Sequence, residues 1–421
     1  MYNFKMKIIL NLICALGFFA LPSGAQDGIE RAAREVSGRI TEKPAGVADI
    51  FDKSLFRHIS LEKLTGVLSG IYGSNGAVVQ TLLVSSSATS GHFFFDTERG
   101  YRVPAALSLD LTTGKINGLF FSPAYIKDPT LKAVREGLAA LPGKTGLLIM
   151  RLGEKKENLE SYNKNAYFAV GSAFKLYVLG TMVRERVPWT KIFRLKGADK
   201  SLPSGRLQNW PDGSPLTAHT LAAMMISESD NTASDALISS VGRRKIEAGL
   251  ASLGHSEPPQ MIPFLKTSEM FRLRADTEAS LKYMNLPAAG KYDFLSSLAK
   301  VPLDAEKIKR SPFGIDKIEW FASPSDLCRL MNYFAGRKDE KALEILALNP
   351  GLNIPREDFS YAGYKGGSEP GVLSMTWLLK KKESGWFCVS ASWNNEKENL
   401  EDAKFFELMQ SAINALGAAG N

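Results

Sequence analysis

The stretch Phe168-Ala169-Val170-Gly171-Ser172-Ala173-Phe174-Lys175-Leu176-Tyr177-Val178-Leu179 decides how the rest of the chain is read. A short apolar run suited to a buried strand meets a glycine, and a largely apolar helix opens just beyond it. Ser172 and Lys175 therefore stand three residues apart at a helix entrance, where an i, i+3 pair shares one face. The entrance supplies unpaired N–H groups and partial positive charge. A lysine buried there loses proton affinity, because desolvation and that positive potential both disfavour the ammonium form. The neutral amine is then a base for the serine hydroxyl, which alone is a poor nucleophile at neutral pH.

The spacing Ser-x-x-Lys also occurs at Ser60 with Lys63, Ser161 with Lys164 and Ser297 with Lys300, so context selects Ser172. Histidine is not the expected base. His58, His92, His219 and His255 sit in no recognisable motif, and no Gly-x-Ser-x-Gly turn occurs. Further along, Met225-Ile226-Ser227-Glu228 leads into Ser229-Asp230-Asn231 at the end of an apolar helix that begins near Leu221. A hydroxyl and a carboxamide two residues apart can face one cleft, relaying a proton and binding an amide. Tyr364-Lys365-Gly366-Gly367-Ser368 reads as a loop before a strand. Its paired glycines let backbone approach a ligand, and Lys365 can meet a carboxylate.

Outward from these motifs, Gly146 to Leu152 reads as a strand followed by a polar hairpin at Gly153 to Glu157. Helices dominate from Ser172 to about Phe334. Gly371 to Leu379 and Trp386 to Trp393 are two late strands, and Leu400 to Leu416 is a closing helix. Ser323-Pro324-Ser325-Asp326 has the form of a capped helix start. Strands at both ends with helices between them indicate one mixed domain whose sheet joins its termini. Ahead of it, residues 27 to 70 read as helical and Gly76 to Ser122 as an antiparallel meander, a small α+β unit. A helix from Asp128 to Leu141, closed by Pro142-Gly143, marks the boundary. The expected divisions are 1–25, 26–142 and 143–421.

Residues 1–25 read as a secretory leader: Lys5 and Lys7 precede an apolar run, Ile8 to Leu21, and Pro22-Ser23-Gly24-Ala25 ends in small residues. A run of this length is too short for a comfortable membrane span. Processing removes Cys14 and leaves Cys328 and Cys388, either as one disulfide or as two buried thiols. No Cys/His cluster has metal-ligand spacing, and no cofactor is expected. The 421 residues are 44% hydrophobic and 23% charged, which excludes a mainly disordered chain. Lys plus Arg exceed Asp plus Glu by 52 to 44, spread along the sequence. That distribution, without interleaved aromatics, argues against nucleic acid as a partner.

In this order and spacing, the Ser172, Ser229 and Lys365 motifs resemble those of the penicillin-recognising serine enzymes. From about Gly143 onward the sequence resembles the class A serine β-lactamases. The front domain resembles the cystatin-like or steroid-isomerase-like unit of serine hydrolases related to one from clavulanic acid biosynthesis. The resemblance implies an exported, periplasmic or secreted hydrolase of β-lactams or related small amides and esters. It makes Ser172 the acylated nucleophile and Lys175 its base. Ser229 becomes proton donor to the leaving nitrogen, Asn231 the amide holder and Lys365 the carboxylate ligand. The oxyanion sits between the N–H groups of Ser172 and Ser368, and Gly367 and Ser368 join the substrate-binding edge.

Two departures stand out. Lys-Gly-Gly replaces the usual Lys-Thr-Gly or Lys-Ser-Gly, and no Glu-x-x-Leu-Asn occurs. Of the acids nearby, Glu257, Glu269 and Asp276, Glu269 is the chosen base for deacylation. Two other functions fit the same residues: an esterase or D,D-peptidase-like acyl-transfer enzyme, and a non-catalytic ligand-binding or sensor protein.

Overall fold

A computed structural model describes residues 23–154, 156–382 and 384–419. The leader reading therefore lies, for residues 1–22, outside the described residues. The chain divides into two compact units, Met1–Ala124 and Tyr125–Asn421.

In the first unit, helices α1 (Ser23–Ser37) and α2 (Leu61–Asn75) accompany four strands, β1 (Val78–Ser86), β2 (Ser90–Thr97), β3 (Tyr101–Leu109) and β4 (Ile116–Phe121). Each strand pairs antiparallel with the next. Ile29, Ala33 and Val36 of α1 pack with Phe93, Phe95, Val103 and Leu107, one helix stripe against one sheet face.

The second unit begins before the expected boundary. Helix α3 (Leu131–Ala139) was assigned from sequence to the front domain, but Val134 and Leu138 are buried with Leu147, Trp393 and Phe405. Strands β5 (Lys144–Arg151) and β6 (Glu157–Tyr162) follow, then helices α4 (Lys175–Arg184), α5 (Ala218–Ser227), α6 (Asn231–Val241), α7 (Thr267–Ala275) and α8 (Pro324–Arg337). The last strands are β7 (Phe359–Glu369), β8 (Val372–Lys381) and β9 (Gly385–Asn394), before helix α9 (Asp402–Ala418). They form one antiparallel sheet in the order β7-β8-β9-β5-β6, which joins both ends of the unit.

Period-two alternation splits the sheet residues between two cores. Leu373, Met375, Trp377 and Leu379 of β8 face α3 and α9, whereas Leu378 joins the cluster of the helical lobe. The lobe-facing side also carries hydroxyls that pair across strands, Thr376 with Ser390 at 2.9 Å and Ser392 with Ser374 at 3.0 Å. Cys328 of α8 and Cys388 of β9 form a disulfide, which resolves the open alternative and staples the lobe to the sheet. Among the described residues, no helix is long and apolar enough to cross a membrane.

Strand β7 corrects the loop reading of Tyr364 to Ser368. Gly363, Gly366 and Gly367 weaken any local strand signal. The ladder with β8 overrides it, pairing Lys365 with Thr376 and Gly367 with Ser374.

Candidate active site

Ser172 lies half-buried in a short 3-10 turn, Gly171–Phe174, that feeds directly into α4. Gly171 adopts φ 48°, a left-handed conformation that glycine takes without penalty. The preceding backbone is fixed by Val170 N–H donating to Trp320 O at 3.0 Å, and Phe174 stacks on Trp320 with ring centroids 3.8 Å apart. Edge strand β7 runs against this turn. A Cβ on Gly367 would stand 2.0 Å from Val170 O and 2.5 Å from the Ser172 nitrogen, so only glycine allows the approach. Ser368, next along the strand, is exposed beside it.

Lys175 is wholly buried. Its Nζ donates to Ser229 O at 2.7 Å and to Asn231 Oδ1 at 2.8 Å, and it meets Ser229 Oγ at 3.1 Å. A neutral amine has two N–H donors and one lone pair. The two carbonyl-type acceptors use the donors, which leaves the lone pair for a hydroxyl. Burial brings the Lys175 pKa down to about 7, against the opposing charges of Asp230, Asp235 and Glu369.

Ser229 has φ 54°, an uncommon conformation for a residue with a side chain. This bend lies between α5 and α6 and aims Oγ between two lysines, because Lys365 Nζ donates to the same oxygen at 3.2 Å. Lys365 also donates to Gly366 O. Its pKa is held well below the ordinary lysine value, first by burial and then by the neighbouring Lys175. Asp230 caps α6, accepting from Ala233 N–H at 2.8 Å, and so turns Asn231 inward. The Asn231 amide also donates to Leu202 O at 3.1 Å.

The fold thus brings Lys175, Ser229, Asn231 and Lys365 into one hydrogen-bonded group, with the Ser172 and Gly367 backbones in contact beside it. Ser172 Oγ is not among the hydrogen-bond partners of Lys175 Nζ. Glu269 has structural partners: one oxygen accepts from Arg243 and the other from Lys266 N–H at 2.9 Å, the cap of α7. The carboxylate expected from sequence to activate water is thus engaged by an arginine and a helix cap. Glu257 precedes a short 3-10 turn, and Asp276 caps a helix through Ala279 N–H.

Sequence reading passed over Asp235, one turn after Asn231 on α6. It is wholly buried, accepts from Thr267 N–H at 2.7 Å and Ser268 N–H at 2.9 Å, and so ties the start of α7 to the Asn231 helix. The Asp-x-x-x-x-Asp spacing from Asp230 to Asp235 carries no recognisable signature, and only the packed position of α7 reveals the tie.

Residues 129–348, just over half of the chain, match the model of the beta-lactamase enzyme family. The chain belongs to that family. Solved structures similar to this family member include a β-lactamase from Sphaerobacter thermophilus DSM 20745. It is 22% identical, with a TM-score of 0.48, 68% of this chain covered and 95% of that one. A β-lactamase from Chitinophaga pinensis DSM 2588 is 16% identical, with a TM-score of 0.47 and coverages of 68% and 98%. PBP-A is 15% identical, with a TM-score of 0.46 and coverages of 68% and 94%. Comparison with curated sequences finds no match.

Proposed function

We propose that this family member is an exported active-site serine hydrolase of the class A type, acylated at Ser172 by β-lactams or related amides and esters. The observation that carries this reading is the Lys175 amine, wholly buried and drawn down to about 7, with its donors matched to two carbonyl oxygens. Rotation of the Ser172 side chain toward Nζ supplies the nucleophile–base contact, and the oxygen attacks a carbonyl carbon as the amine takes its proton. The resulting oxyanion lies between the N–H groups of Ser172 and Ser368. Ser229, already held between two amines, passes a proton to the leaving nitrogen. Asn231 binds the substrate amide through its remaining N–H, and Lys365 attracts a carboxylate.

Release of the acyl group is the slow step. Asp230 accepts from Arg206, Leu207 and Ala233 N–H groups, Asp235 from Thr267 and Ser268, and Glu269 from Arg243 and Lys266. Each of these acids is already engaged in a helix cap or a tie between elements, which supports slow deacylation. The same observation favours a second reading, an esterase or D,D-peptidase-like enzyme that passes the acyl group to another acceptor. The leader-like pattern of residues 1–25, Lys5 and Lys7 ahead of an apolar run, supports export.

Incubation with a fluorescent penicillin followed by intact-mass measurement tests the proposal. A lasting adduct that Ser172→Ala abolishes is the expected result. Absence of both adduct and hydrolysed product would refute acylation and leave a ligand-binding protein. Rapid product release without an adduct would refute slow deacylation.

A further inference from the structure

Beneath the nucleophile lies a buried charged cluster that the proposed mechanism does not use. Arg274 of α7 has a side chain 1% exposed, and its Nη2 donates to Glu319 Oε1 at 2.7 Å, where the Glu319 side chain is 0% exposed. Its Nη1 stands 3.8 Å from Glu369 Oε2. Its Nε is buried with no hydrogen-bond partner among the described residues. One guanidinium thus serves two carboxylates, and burial pushes both of those acids toward their neutral forms, Glu319 to about 7.

The positions of the two carboxylates are informative. Glu319 accepts from Trp320 N–H at 3.2 Å, and Trp320 O in turn accepts from Val170 N–H at 3.0 Å, two residues before Ser172; the neighbouring Gly171 N–H also favours the ionised Glu319 carboxylate against its burial. Glu369 is the residue just after Ser368 and ends β7. Arg274 therefore bridges the two backbone arms whose next N–H groups, those of Ser172 and Ser368, face the developing oxyanion. A hole of this kind works only if its donors are held before the reaction, and shifts of about 1 Å are costly. Two backbone arms from distant parts of the chain need something to fix their separation.

We propose that Arg274 is a positioning residue that sets the distance between the Ser172 and Ser368 N–H donors, acting through Glu319 on one arm and Glu369 on the other. The inference rests on the acyl-transfer reading of Ser172. Its effect falls on the tetrahedral state, where the oxyanion exists, and not on the first non-covalent encounter with substrate.

The test compares the full-length protein with Glu319→Gln, Glu369→Gln and Arg274→Lys, following fluorescent penicillin by stopped flow. The method separates non-covalent affinity from the acylation step. Both Gln variants keep the side-chain shape, and Arg274→Lys keeps the charge but cannot reach two carboxylates at once. Acylation at least tenfold slower in Glu319→Gln and in Arg274→Lys, with non-covalent affinity within about twofold of the parent, is the expected result. A boronic acid mimic of the tetrahedral state should weaken in parallel. Normal acylation in either of these variants would overturn the inference, as would an equal loss of non-covalent affinity. Glu369→Gln supplies the same comparison should the buried Glu319 and Arg274 variants fail to fold. An unlabelled parent protein would overturn the acyl-transfer reading itself, and this inference with it.

Discussion

The most direct consequence of a Lys175 pKa near 7 is the shape of acylation against pH. Only the neutral amine accepts the Ser172 proton. With a midpoint at about 7, roughly 9% of the protein is competent at pH 6 and about 91% at pH 8, a rise of about tenfold that levels off above pH 8. An ordinary lysine would instead give about a hundredfold rise over the same interval and no plateau. Stopped-flow labelling with fluorescent penicillin from pH 5.5 to 9.5 distinguishes the two curves.

The same shift has a thermodynamic signature with a definite sign. The unfolded lysine titrates at 10.5 and the folded one at about 7, so between those values the unfolded chain binds the extra proton. Stability therefore rises with pH across that window, by at most about 1.4 kcal/mol per unit, and the gain is lost as pH falls to 7. Urea unfolding of the parent compared with Lys175→Met isolates this contribution. A labelling rate that is flat, or that still climbs tenfold per unit above pH 9, would refute the neutral-lysine mechanism.

Gly367→Ala forces a Cβ against Val170 O and the Ser172 nitrogen, both backbone atoms that cannot swing away. Loss of one oxyanion donor costs about 2.7–4 kcal/mol, so acylation should fall by 10²–10³, read by labelling rate at matched folded fraction. Glu269→Gln should leave the lifetime of the acyl-enzyme within twofold, by intact mass over time, while lowering stability by about 1–3 kcal/mol as Arg243 loses its charged partner. Replacing both Cys328 and Cys388 with Ala opens a cross-link spanning 60 positions, and chain-entropy arguments put the loss near 4 kcal/mol, measured as a lower denaturant midpoint.

Much of the candidate site was legible because the residues that meet there are linked by short-range spacing. Ser172 and Lys175 are one turn apart, and Ser229 and Asn231 share a bend, so short-range spacing carries the information. The strands near residues 146, 372 and 386 were visible as apolar runs for the same reason. Strand β7 was hidden because its glycines answer to a backbone nearly 200 positions away, which no local propensity encodes. Helix α3 was correctly found and assigned to the wrong unit, since its amphipathic stripe says that it packs and not against what. The contact of Glu269 with Arg243 could not be read from sequence, because only the packed lobe determines that approach. Arg274, Glu319 and Glu369 escaped for a related reason: each is an ordinary charge in sequence, and only the fold buries the first two and half-buries the third.

The sheet draws its edge strand from the far end of the unit, and this orders events during synthesis. Ser172 and Lys175 leave the ribosome well before Lys365 and Ser368, an interval of about 10–40 s at 5–20 residues per second. In the proposed mechanism, the hydroxyl has no second oxyanion donor and no anion-attracting lysine until β7 pairs with β8. On that mechanism a nascent chain is chemically silent, and reactivity toward carbonyl compounds appears only once the last strands have closed the sheet.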